Sequence, residues 1–147
     1  MKRTTITEII ALLFVILFLY TGASKLMEYD VFKEQIATSP ILEPFAQWIA
    51  WGLPLSEFVV AILLFFPRWR LQGLYAALGL MLLFTCYIIA ILSFDKQLPC
   101  SCGGVIELLS WKGHLVFNSV LILLAFTGVW LARQTQKDNI ASTVMYS

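Results

Sequence analysis

Charge is scarce in this chain of 147 residues: Lys, Arg, Asp and Glu together make up 13%, about half the share in an average soluble domain. Histidine occurs once and cysteine three times, too few cysteines for a disulfide-stapled miniprotein. A net charge of +1 offers no basic face for nucleic acid. The sequence has no glycine-rich phosphate loop, no Gly-x-Ser-x-Gly elbow, no paired-histidine metalloenzyme motif and no Cys-x-x-Cys-His haem signal. What it has is apolar surface: hydrophobic residues make up 60% and the mean hydropathy is +0.84. Disorder is excluded by that richness. A globule this small has too much surface per unit volume to hide so many apolar side chains. The solvent for most of this chain is lipid.

Crossing about 30 Å of hydrocarbon takes roughly 20 mainly apolar residues. Four segments qualify, at about 6–23, 49–66, 71–94 and 114–132. The chain therefore reads as an all-α membrane protein of one domain, a four-transmembrane-helix bundle with two outward loops containing short interfacial helices. Residues 133–147 read as a polar cytoplasmic tail. The first span resembles a signal peptide in its Lys2, Arg3 and small residues Thr21 to Ser24, but Glu8 inside it argues against cleavage. Gly73 and Gly79 in the third span, and Ser119, Thr127 and Gly128 in the fourth, are expected to line close helix contacts.

Orientation follows from Lys and Arg. Both termini and the second loop share Lys2, Arg3, Arg68, Arg70, Arg133 and Lys137, whereas Lys25, Lys33, Lys96 and Lys112 are spread over the two other loops. This places the termini in the cytoplasm of a bacterial inner membrane and loops 24–48 and 95–113 outside. Trp48, Trp51 and Trp111 fall at the outward ends, at headgroup depth. In the first loop, Asp30 is expected to cap a short helix through about Thr38 that Pro40 and Pro44 end. In the second, Val105, Leu108 and Leu109 share one helical face ahead of Trp111, a pattern that suits a surface helix.

The second loop also holds Cys100-Ser101-Cys102 between Pro99 and Gly103-Gly104. Two cysteines one residue apart close a small, strained ring, which is easier to reduce and suits exchange chemistry. The alternatives are a static loop staple and a soft-metal site in which both thiolates join His114. His114, at the outer edge of the fourth span, is expected first to anchor the loop, and when protonated would also stabilise a nearby thiolate. Cys86 lies within the third span, where a thiol usually serves as a small core residue.

Glu57 is the only acid embedded well within a span. A lone carboxylate in lipid is expensive, so it is expected to face the bundle and meet Lys25, with Tyr20 and Ser56 completing a polar cluster. Asn118, one turn below His114, is expected to bond across helices. The cluster is either a structural clasp or part of a proton- or quinone-handling site. No sequence motif names a cofactor.

Together these residues resemble the DoxX-like superfamily of four-span bacterial membrane proteins, and within it the MauE branch. The first half shows Tyr20-x-Gly22-x-x-Lys25-Leu26, an aromatic at Phe32, Pro44, then Leu53-Pro54-x-x-Glu57; the second shows Cys100-x-Cys102, Trp111 and Asn118. A departure is Gly103-Gly104, where the branch usually has phenylalanine after the second cysteine. The resemblance implies a redox-associated inner-membrane protein, since MauE is linked to maturation of a disulfide-rich periplasmic dehydrogenase subunit. The layout is also similar to the DsbB and vitamin K epoxide reductase type, which relay electrons to a quinone through two cysteine pairs. With one outward pair, a two-disulfide relay within this chain is not expected. The reading is thiol–disulfide exchange between Cys100–Cys102 and a periplasmic thioredoxin-like partner. The alternatives are a non-enzymatic accessory subunit docked to other membrane subunits, and a soft-metal-binding membrane protein.

Overall fold

A computed structural model describes residues 2–40, 42–94 and 111–147. The elements are α1 (Lys2–Met27), α2 (Tyr29–Ala37), a 3₁₀ turn (Glu43–Phe45), α3 (Ala46–Phe65), α4 (Arg70–Phe94) and α5 (Trp111–Met145). Four of these helices, α1, α3, α4 and α5, are long and apolar enough to cross a membrane. They form a ring in the order α1, α3, α4, α5, with α5 returning to α1. Helix α2 lies against α3.

Side chains sort as they do in lipid. The bundle interior is built around Phe14 and Phe18, stacked with centroids 5.9 Å apart, together with Leu64, Leu74, Ala77 and Ala125. Large residues such as Ile9, Ile16, Leu83, Leu123 and Phe126 face outward. With no hydrophobic drive between helices in lipid, small residues decide where backbones approach. Gly73 does so: a Cβ there would stand 2.8 Å from the Leu64 backbone nitrogen. Gly128 fits between Leu74 and Ile10. A Cβ at Gly79 would meet nothing within 4 Å among the described residues, and Ser119 and Thr127 are exposed, each donating to the carbonyl four residues earlier. Those three do not line the contacts expected of them. Cys86 is likewise exposed on the outer surface of α4, not a core residue.

The ends differ from the apolar segments. Helix α1 begins at Lys2, and α5 continues through the polar tail to Met145. At 1.5 Å per residue α5 measures about 50 Å, some 20 Å more than the hydrocarbon requires. The exposed pair Arg3–Asp138, at 3.4 Å, ties this extension to the start of α1. Between α3 and α4 the chain turns because Phe66, ahead of Pro67, is extended (φ −84°, ψ 121°). In the first loop α2 starts one residue before Asp30. Glu28 holds the cap position without a side-chain bond, so Asp30 sits in the first turn and does not cap. The helix stops after Ala37, where the Thr38 hydroxyl donates to Gln35 O (2.6 Å) and Pro40 follows. Ile36 packs with Ala46 and Ala50 in a small second core bordered by Tyr29, Phe32 and Ile49. The short helix expected around Val105 to Leu109, like Cys100 and Cys102, lies outside the described residues.

Candidate functional site

Beyond Gln47 in its first turn, helix α3 is apolar apart from Ser56 and Glu57, two and three residues after Pro54. Pro54 has no N–H for the Ala50 carbonyl, a loss that membrane helices tolerate where neighbours pack closely. Both Pro54 and Ala50 are buried. One turn further on, Glu57 is fully buried against α1. There Gly22 lets the carboxylate in: a Cβ at that position would stand 3.3 Å from both Glu57 Oε2 and the Phe58 ring.

Lys25 lies three residues after Gly22, on the same face of α1. Its Nζ is 2.7 Å from Glu57 Oε1, and its side chain is 22% exposed against 1% for Glu57. The ammonium also approaches Thr21 O at 3.5 Å. Two aromatic rings flank it, Phe32 from α2 at 5.9 Å and Phe84 from α4 at 5.5 Å to the centroids. Four elements therefore converge on one cation. The Thr21 side chain comes close to the carboxylate, but its hydroxyl donates to Phe18 O (3.5 Å). Glu57 Oε2 is buried and has no hydrogen-bond partner among the described residues.

Such a pair is held by geometry more than by net Coulomb gain, because desolvating both charges costs several kcal/mol each. What it provides chemically is a fixed ammonium, an acceptor oxygen with spare capacity and an aromatic wall. Lys25 stands in the last turn of α1, where the helix dipole also favours a cation.

The other expected site residues distribute as follows. Tyr20 is 45% exposed. Ser56 spends its hydroxyl on Leu53 O (2.7 Å) and so does not join the cluster. Asn118 is buried on α5, and His114 is half-buried one turn nearer the start of that helix. Cys100 and Cys102 lie in the connection from Phe94 to Trp111. The end of α4 and the start of α5, which bracket them in sequence, stand at the Lys25 end of the bundle, because the opposite ends of α1, α4 and α5 are joined by Arg70–Glu8 (3.5 Å) and Arg3–Asp138. Phe84 escaped sequence reading altogether, since nothing local says which residue of α4 stands level with Lys25. Gly22 and Phe32 were signalled by the motif.

Comparison with known proteins gives one family. A family model described as methylamine utilisation protein MauE matches residues 3–131, which takes in all the apolar segments. No curated protein and no solved structure matches the chain.

Proposed function

The chain belongs to the MauE family of methylamine utilisation proteins, and we propose from this that it is a redox accessory protein of the bacterial inner membrane. In this reading its termini are cytoplasmic, and Cys100 and Cys102 exchange disulfides with a periplasmic thioredoxin-like partner. The observation that carries the reading is the built polar site at one end of the bundle. Lys25 and Glu57 are locked at 2.7 Å under Phe32 and Phe84, at the end where the chain holding both cysteines departs and returns. A bundle that only anchors a partner needs no such buried charge pair, and intramembrane ionisable residues mark functional positions.

The exchange balances as an ordinary thiol–disulfide reaction. The thiolate of one cysteine attacks a partner disulfide, forming a mixed disulfide and releasing a partner thiolate. The second thiolate then attacks the mixed disulfide, closing the 100–102 bond and freeing the partner dithiol. Two electrons and two protons pass to the partner, and the reverse sequence returns them. His114, at the start of α5, tunes the thiols, and the clasp holds the bundle end that presents them.

Trapping tests this. Cys100→Ala and Cys102→Ala variants, expressed in membranes and quenched with acid and an alkylating agent, should accumulate mixed disulfides with a soluble thioredoxin-like protein. Absence of adducts in both variants contradicts exchange and favours an accessory subunit with a static bridge.

A further inference from the structure

At the end of the bundle opposite the Lys25–Glu57 pair, charge is sharply one-sided. The segments there carry six basic residues against two acidic ones, Glu8 and Asp138, while among the described residues the other end carries three basic against five acidic. Most of these basic side chains point to solvent. Arg70 does not: it is the first residue of α4, and its side chain is 18% exposed. Its Nε is buried with no hydrogen-bond partner among the described residues. Among the described residues its one ion pair is loose, Nη1 to Glu8 Oε1 at 3.5 Å, and that glutamate is 55% exposed.

An arginine has five N–H donors, and a buried guanidinium normally fills them. Here Nη1 meets a distant carboxylate, itself half in water, and Nε meets nothing among the described residues, and a pair with so exposed a partner contributes little. The position is at headgroup depth, because α4 begins with Arg70 and is predominantly apolar from Gly73, beyond Gln72. Phe66 and Trp69 flank it, edge to face at 5.8 Å and both over 40% exposed, as interfacial aromatics are. Arg68 is exposed on the same turn. The backbone bonds Trp69 N–H to Phe66 O (3.1 Å) and Gly73 N–H to Trp69 O (2.9 Å) hold this turn in shape.

We propose that the Arg68–Trp69–Arg70 turn binds the phosphate of an anionic phospholipid headgroup, with Arg70 exchanging its loose Glu8 contact for a charge-assisted pair to the lipid phosphate. Arginine is suited to this because its fork matches the spacing of phosphate oxygens. Lipid is favoured over soluble phosphate because the flanking rings place the site at the bilayer boundary, and basic pockets between membrane helices select anionic headgroups. Glu8 sets the threshold: it competes with the lipid for the same guanidinium.

The full chain, reconstituted in mixed phosphatidylcholine–phosphatidylglycerol vesicles, is read with spin-labelled lipids for the fraction each contributes to the immobilised shell. Wild type should select phosphatidylglycerol over phosphatidylcholine about fivefold, the factor one surface arginine supplies. Arg70→Gln should abolish that selection, while Arg133→Gln, an exposed arginine on α5, should preserve it. Glu8→Gln should increase it, a gain that misfolding cannot produce. Equal immobilisation of both lipids by wild type, or no gain in Glu8→Gln, overturns the proposal. Loss of selection on adding inorganic phosphate at matched ionic strength overturns it in favour of a soluble anion.

Discussion

Lys25 Nζ and Glu57 Oε1 lie 2.7 Å apart, joining α1 to α3 at a point where the acid is wholly buried and the base is 22% exposed. The asymmetry sets what each mutation does. Removing the lysine strands a carboxylate inside the bundle, whereas removing the carboxylate leaves an ammonium that still reaches water.

Lys25→Met should therefore destabilise more than Glu57→Gln, by about 3 kcal/mol or more for the lysine variant, the range for breaking a buried pair. Combining the two should recover most of the loss, because no charge is then left unpaired. Glu43→Gln, an exposed position in the 3₁₀ turn, should stay within about 0.5 kcal/mol of wild type. Denaturant titration in detergent, followed by tryptophan fluorescence, measures all four.

Arg3–Asp138 supplies the contrasting case. Its partners are 60% and 67% exposed, so Asp138→Asn should cost under about 1 kcal/mol, and what it costs should vanish in high salt. Exchange protection of the α5 extension beyond Arg133, compared at low and high salt, tests whether the latch holds that helix.

Helix contacts are tested at the glycines. Gly73→Val places a branched side chain against the Leu64 backbone, where a Cβ alone would be 2.8 Å away, and should separate α3 from α4 with a loss of about 2 kcal/mol or more. Gly79→Ala meets nothing within 4 Å among the described residues and should be neutral or slightly stabilising. Thermal scanning of the two purified variants in one detergent distinguishes them.

Topology is tested by labelling. An impermeant thiol reagent added to intact spheroplasts after mild reduction should modify Cys100 or Cys102 and spare Cys86, which faces the region lipid fills. Modification of the pair only after lysis would invert the orientation.

The spans were legible because length and hydropathy are set by the bilayer, which is a coarse filter. Their ends were not. A hydropathy window registers only the lipid-embedded stretch, so it missed the polar first turn of α1 and the extension of α5 to Met145. Which face turns inward was also hard to read. In lipid both sides of a helix are apolar, so hydrophobicity no longer separates core from surface. That is why Cys86 and Gly79 were assigned to contacts they do not make. Glu57 was legible for the opposite reason: a carboxylate has one affordable direction, inward to a cation. Phe84 was not, since its meeting with Lys25 depends on the ring order of the helices. Asp30 failed as a cap because α2 follows α1 almost without a break, so the helix starts before it.

The central claim is that the Cys100–Cys102 pair cycles. Redox titration of the membrane protein in glutathione buffers, read by alkylation mass shift with metal analysis of the same sample, tests it most directly. The account predicts a bond that opens reversibly at potentials milder than about −300 mV, above the range of structural disulfides. A bond that stays closed below that potential, or a pair that remains reduced around a bound metal, contradicts it.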